Sequence, residues 1–294
     1  MTPREITCAA AFRRVSGRFP YHWDLNPYRG CAHRCQYCFA VYSHRYLDSS
    51  AFYDEIFVKT NIVEQLERQL SRPDWPSEVV NIGGVTDSYQ PLEATYRLMP
   101  DILRLFIKYQ TPCIISTKSD LILRDFDLID ELSRITFVNI ASTVTTVDER
   151  VRQRLEPGGV PSQRRLAMLK AFSKTNCATG MHAMPIVPYL TDSPENLEGL
   201  CAGASDAHVD YLLTGAMYLR GNTRNVFFDF IKRDYPTLYA PLSALYRKGA
   251  LDKTYKAQLY QTVGRLRAKY GLTGNYQAIM KAKLPQAPEQ LSLF

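Results

Sequence analysis

The feature that most constrains this chain is an alternation. Short apolar, β-branched runs occur at Val79–Val85, Pro112–Ser116, Thr136–Val144, Gly180–Val187 and Tyr211–Leu219, with a weaker sixth at Trp23–Asn26. Between them lie helical patterns: Ile62, Leu66 and Leu70; Leu98, Ile102, Leu105 and Phe106; Leu128, Ile129 and Leu132; Leu166, Leu169 and Phe172. Apolar residues three or four apart share one helix face. Repeated strand–helix units pair their strands in parallel through right-handed crossovers. Six units are too few for a closed eight-stranded barrel. The expected fold class is therefore α/β, a partial (β/α)6 TIM-type barrel, with a doubly wound open sheet as the alternative. From residue 222 the strand signals stop, and Asn225–Arg233, Pro241–Lys248, Lys253–Lys269 and Tyr276–Lys283 read as helices. The expected organisation is an N-terminal arm over 1–20, the barrel over 21–220, a helical extension over 221–284 and a flexible tail over 285–294.

One motif stands directly after the first strand. CAHRCQYC places Cys31, Cys35 and Cys38 in a C-x3-C-x2-C run. Iron–sulfur clusters held by thiolates take four ligands. Three would leave one iron open, and an open iron can chelate the amino and carboxylate groups of S-adenosylmethionine. One electron from the cluster then breaks a carbon–sulfur bond and yields a 5′-deoxyadenosyl radical, so the cofactor carries the hard chemistry. The competing reading is zinc, with His22, His33 or His44 as the fourth ligand. Zinc motifs usually pair two C-x2-C halves, and no second half exists here. Cys8, Cys113, Cys177 and Cys201 are isolated, which also argues against an auxiliary cluster.

These residues resemble the radical S-adenosylmethionine superfamily, and within it the spore photoproduct lyase-like group, over roughly Tyr21 to Leu284. NPYRGCAHRCQYCFA (Asn26–Ala40) is similar to the group's cluster loop, NIGGVTDSYQPLE (Asn81–Glu93) to its second-strand segment and STKSDLILRDFDLI (Ser116–Ile129) to its third strand and helix. RLEPGGVPSQRRL (Arg154–Leu166) and MPIVPYLTDS (Met184–Ser193) are further signatures. The resemblance implies a [4Fe-4S] cluster on Cys31, Cys35 and Cys38, S-adenosylmethionine as cofactor, and an electron donor such as flavodoxin or ferredoxin. It implies that Tyr37 packs beside the cofactor adenine and that Gly83 and Gly84 let backbone approach the methionyl amino group. It further implies that Lys118 pairs with the cofactor carboxylate and that Ser142 lies near the same group. Asp87, in the second-strand segment, is counted with them. Each has a plainer reading: Gly83 and Gly84 as a strand-to-loop turn, Lys118 as a surface cation, Ser142 as a strand hydroxyl bonded to backbone, Tyr37 as core, and Glu156 with Arg164 as a surface ion pair. Their shared placement near the C-terminal ends of strands favours a site.

The chain departs from the lyase itself. The lyase returns hydrogen through a cysteine in the second-strand segment, where Gly84 is the matching position, and no cysteine lies between Asn81 and Glu93. Phe39 stands where the lyase carries a tyrosine after its last cluster cysteine. Tyr89, Tyr189 and Tyr218, each after a strand, are the remaining candidates for a hydrogen donor, with Tyr89 and Tyr218 taken as catalytic candidates. A related radical enzyme with a different substrate or outcome is expected.

Charge bears on that substrate. The net charge is +7, and residues 220–283 hold 13 Lys/Arg against 3 Asp/Glu, so the whole excess lies there. Ten Tyr and Phe residues, Phe227 to Tyr276, are interleaved. Cations neutralise phosphates and rings stack on bases, which suits nucleic acid; the plainer reading is solvated cations and buried rings. The terminal QLSLF, Gln290–Phe294, resembles the peptide by which bacterial repair proteins dock to the DNA sliding clamp; the alternative is a tail capping the protein's own helices. The expected substrate is a DNA base, flipped out to be reached. The alternative is a peptide, protein side chain or small metabolite. No apolar run of 18 residues occurs, so no membrane span is expected. The N-terminus carries no secretory pattern, and isolated cysteines fit a reducing cytoplasm.

Overall fold

In a computed structural model, which describes residues 2–284 apart from 18, 48 and 50, the chain forms ten strands. They are β1 (Thr2–Ile6), β2 (Phe12–Arg14), β3 (Trp23–Leu25), β4 (Tyr28–Arg29), β5 (Glu55–Lys59), β6 (Val80–Ile82), β7 (Cys113–Thr117), β8 (Val138–Thr143), β9 (Ala178–Ile186) and β10 (Tyr211–Ala216). The α-helices are α1 (Ile62–Leu70), α2 (Glu93–Tyr96), α3 (Leu98–Lys108), α4 (Phe126–Ile135), α5 (Glu149–Leu155), α6 (Ser162–Phe172), α7 (Pro194–Asp206), α8 (Asn222–Asp234), α9 (Tyr239–Leu245), α10 (Lys253–Lys269) and α11 (Tyr276–Lys283). The QLSLF tail lies outside the described residues. No helix among the described residues is long and apolar enough to cross a membrane.

The main sheet runs β10-β9-β8-β7-β6-β3-β2. Its first six strands in that order are all parallel, and β2 adds an antiparallel edge against β3. Six parallel strands in chain order, with β2 and β10 at the two edges, are the expected partial barrel. A second sheet, β1-β5-β4, was not anticipated. Five-residue Glu55–Lys59 and two-residue Tyr28–Arg29 are too short to show a period.

Register sorts the two faces, because in-register neighbours of a parallel sheet point the same way. Leu25, Ile82, Ile115 and Ile140 are successive partners, all fully buried. They pack under Leu66, Ile102, Phe106, Ile129 and Leu132 of the helical layer. The opposite face lines the lumen, mixing polar and small or apolar partners: Asp24 beside Asn81, then Ala141, Gly180 and Tyr211, then Thr143, His182 and Leu213. A Cβ on Gly180 would collide with the Tyr211 ring, so glycine there lets that ring cross the lumen. Asn139 Nδ2 donates to its hydroxyl at 3.0 Å. Beneath it Tyr276 of α11 packs edge-on at 4.9 Å, and Met280 seals against Ile114, Phe137 and Ala178. Helix α11 thus closes the N-terminal end of the lumen, leaving the C-terminal strand ends as its mouth.

Helix starts follow local chemistry. Ser193 caps α7 by accepting from Asn196 N, with Pro194 at the first helical position. Asp148 caps α5 and Asp252 caps α10 in the same way. The aromatic-rich extension is less of a surface than its composition implied. Phe227, Phe228, Phe230 and Tyr246 are buried, packing α8 against the end of the barrel.

Candidate active site

The cysteine loop leaves β4 through Gly30, whose φ of +85° only glycine adopts readily, and a Cβ there would lie 2.8 Å from Glu55 O. Cys31 N donates to Phe52 O at 3.2 Å, Cys38 N to Cys35 O at 3.1 Å, and the Tyr53 hydroxyl to Cys35 O at 2.7 Å.

Three other segments hold this loop. From the end of β6, Thr86 Oγ1 donates to Gly30 O at 2.5 Å and Gln90 Oε1 accepts from Ala32 N at 3.0 Å. Asp87 Oδ2 meets His33 Nε2 at 2.9 Å. From the end of α5, Leu155 O accepts from Gln36 N at 2.9 Å, and Gly158 bonds His33 through both its N–H, at 3.0 Å, and its carbonyl, at 2.9 Å. From α8, Thr223 Oγ1 donates to Cys38 O at 3.3 Å.

The three thiols are free. Burial pushes each of them up, Cys35 to about 12, and Cys31 and Cys35 are raised further by neighbouring thiols. Lys118 opposes this at Cys35 and Cys38. Clustered, desolvated thiols beside a cation are what metal ions deprotonate on binding. Among the described residues no three His, Cys, Asp or Glu side chains are gathered as ligands of one metal ion. A four-iron cluster takes each thiolate on a different iron, and three buried thiols on one loop, two of them beside the Lys118 ammonium, are a donor set that fits it.

The charges around the loop are balanced. Burial would lower Lys118, but Cys35 and Glu156 raise it overall, so it stays an ammonium, 5.8 Å from the centre of the Tyr37 ring. Burial would raise Asp87, but His33, Lys118 N and Thr117 hold its carboxyl well below the usual range. Burial would also raise Glu156, and Arg165 and Lys118 bring it below its ordinary value. Burial with Lys118 nearby lowers His182 to about 4.

The structure brings Cys31, Cys35, Cys38, Tyr37, Lys118, Gly83 and Asp87 to one end of the barrel. Four expectations change in detail. Asp87 accepts from Tyr89 N at 2.9 Å, Thr117 Oγ1 at 2.8 Å and Lys118 N at 2.8 Å besides pairing with His33, so its carboxylate is taken up within the protein. Ser142 is in register with Met181, on the helix-facing side, and donates to Thr117 O at 2.6 Å. Tyr89 is fully buried, with its hydroxyl donating to Asp125 at 3.1 Å. Glu156 pairs with Arg165, both fully buried, while Arg164 pairs with Asp120 at the surface. The glycines also have local reasons: Gly83 has φ +89°, and a Cβ on Gly84 would lie 2.6 Å from Asp24 Oδ2. Tyr189 is half-exposed against Tyr255. Tyr218 is 63% exposed and does stand at the mouth.

Sequence reasoning missed His33 as a loop tie, Glu156 with Arg165 as a buried pair, and His182. His33 lies inside the motif and was weighed only as a metal ligand. His182 carries no motif, and only strand register reveals it.

The radical SAM superfamily model matches residues 25–200. An uncharacterized protein of Mycobacterium tuberculosis is 34% identical over 301 residues, covering 100% of this chain and 88% of its own length. An uncharacterized protein of Methanocaldococcus jannaschii is 26% identical over 168 residues, covering 57% of this chain and 61% of its own. Among solved structures, spore photoproduct lyase complexed with dinucleoside spore photoproduct gives a TM-score of 0.67 at 14% identity, covering 93% of this chain and 82% of that one. At that identity the shared property is the fold.

Proposed function

This chain belongs to the radical SAM superfamily, and we propose that the substrate it acts on is a DNA base, repaired or modified at the barrel mouth. It is an enzyme whose cofactors are a [4Fe-4S] cluster and S-adenosylmethionine, with a reductant supplying electrons. When bound, the cluster supplies the electron that splits S-adenosylmethionine into methionine and a hydrogen-abstracting radical. Cys31, Cys35 and Cys38 would hold the cluster. Lys118, kept cationic, offers a charge-assisted bond to a carboxylate, with the Tyr37 ring beside it. Gly83, at φ +89°, gives the strand end a turn that residues with a Cβ rarely adopt. The electron donor is a flavodoxin or ferredoxin.

The observation that supports a base is a cleft of about 790 Å³ beside the last cysteine. The exposed rings of Phe39, Tyr42 and Tyr218 line it, together with Arg220, Asn222 and Thr223. Exposed rings offer stacking surfaces to any base, and Arg220 offers a partner for phosphate. The start of α8, uncapped by any side chain, lies at the same cleft, and a helix N-terminus favours an anion. The ligand of the lyase that shares this fold, a dinucleoside photoproduct, is of the same chemical class.

The test is binding of a short single-stranded oligonucleotide to the anaerobic, reconstituted chain across a salt series. Affinity should fall steeply with salt, and label should pass from a deuterated oligonucleotide into 5′-deoxyadenosine. Absent binding at low salt together with label transfer from a peptide or metabolite would replace the nucleic-acid reading. We read Gln290–Phe294 as a sliding-clamp docking peptide; a clamp pull-down that is the same with and without those five residues removes it.

A further inference from the structure

The motif Arg154–Leu166 has no role in the reading above, yet half of it lies along the cysteine loop. The Tyr37 phenol, between the second and third cysteines, donates to Glu156 Oε1. Arg165 Nη1 stands 2.5 Å from the other carboxylate oxygen. Arg165 is itself anchored to the barrel, through Nε to Val160 O at 2.9 Å and Nη1 to Thr143 O at 2.8 Å, at the end of β8. Arg152 Nη1 ties down the Glu156 and Gly159 carbonyls, each at 2.7 Å. Two residues on, the chain closes on the loop. A Cβ at Gly158 would collide with Ala32 O and lie 2.8 Å from His33 Cα.

A fully buried ion pair is a weak source of stability, because desolvating both charges offsets most of their attraction. What the pair does here is geometric. It fixes one carboxylate oxygen against the single hydroxyl of the cysteine loop, and Lys118 Nζ stands over the face of that ring, 5.8 Å from its centre.

We propose that Glu156 is a positioning residue for the cofactor site: it holds Tyr37 and the cysteine loop from beneath while Gly158 clamps the loop from the side. Leu155–Gly159 is then the second half of the cluster loop, supplied by a distant part of the sequence. The proposal rests on the cysteines holding a cluster. Its test therefore begins with iron and sulfide in the wild-type chain, where their absence would overturn premise and proposal together.

Tyr37→Phe deletes the hydroxyl and leaves the Glu156–Arg165 pair intact. It should retain four irons per chain, as the cluster stoichiometry requires. It should bind S-adenosylmethionine about tenfold more weakly, the scale of one lost charge-assisted hydrogen bond. The change that S-adenosylmethionine causes in the electron paramagnetic resonance spectrum of the reduced cluster should shrink with it. Glu156→Gln should give the same defect, and the double variant should be no worse than either single one. Gly158→Ala should fold and fail to retain iron. Should it not fold, the decision passes to the Tyr37 and Glu156 cycle. Defects that simply add, or variants whose spectrum and affinity match wild type, overturn the proposal.

Discussion

His33 Nε2 and Asp87 Oδ2 lie 2.9 Å apart, both nearly inaccessible, and this pair ties the cysteine loop to the end of the second barrel strand. Removing the carboxylate strands an imidazole, the Tyr89 and Lys118 backbone N–H groups and the Thr117 hydroxyl in the interior. Breaking a buried pair from one side costs roughly 3 kcal/mol. Asp87→Ala should lower the unfolding free energy by that amount, read from a lower denaturant midpoint, and empty the cysteine loop of iron. An unchanged midpoint with full iron content would show that the pair holds nothing.

A second tie is steric. Gly84 faces Asp24, which Asn81 and Asn26 bond at 2.7 and 2.6 Å, and a Cβ would intrude on that carboxylate. Overpacking of this kind costs about 1–3 kcal/mol. Gly84→Ala should be destabilised within that range by chemical denaturation, whereas Gly264→Ala, where a Cβ meets nothing within 4 Å, should not. Equal stability of the two variants would refute the steric reading.

Lys118→Ala tests the cofactor end of the site. Its ammonium lies near Cys35, Glu156 and Asp87, and the role proposed for that charge is pairing with an incoming carboxylate. Affinity for S-adenosylmethionine should fall by about one to two orders of magnitude, with iron and sulfide unchanged. Calorimetric titration reads the first and colorimetric assay the second. Wild-type affinity would remove Lys118 from the site.

The barrel was legible because its signal is periodic and long. Five strands and four helices announce themselves by spacing, and Lys253–Lys269 and Tyr276–Lys283 begin and end where their pattern does. The cysteines were legible because three residues of one rare type share a loop. What was hidden is whatever depends on register or on distant partners. Ser142 looks like a mouth residue until its pairing with Met181 puts it on the helical side. Arg164 and Arg165 are adjacent in sequence, and only helix phase decides that the second reaches Glu156. The rings of α8 could not be sorted into core and surface from composition, because burial on one helix face is decided by the barrel beneath it.

The mouth rings carry a separable expectation. Phe39 and Tyr218 are 62% and 63% exposed, so neither contributes much to the core. Replacing either by Ala should leave thermal unfolding within about 0.5 kcal/mol of wild type. Each should nonetheless weaken oligonucleotide binding about tenfold, as losing one stacked base does. Full affinity in the double variant would place any base elsewhere.

His182 contributes to the acid side of the stability profile. Burial and the nearby Lys118 lower its imidazole to about 4, against about 6.5 in an unfolded chain. The native state therefore binds this proton less readily than the unfolded state. Its contribution to stability is fully present above about pH 6.5 and is lost as pH falls towards 4, where the folded imidazole at last protonates. Between pH 7 and pH 5 the loss should be on the order of 2 kcal/mol. His182→Gln keeps a polar side chain at the lumen and cannot take up the proton. Its unfolding free energy should change less than that of wild type over the same interval, by that difference. Parallel pH profiles for the two proteins would show that His182 is not held neutral by its surroundings.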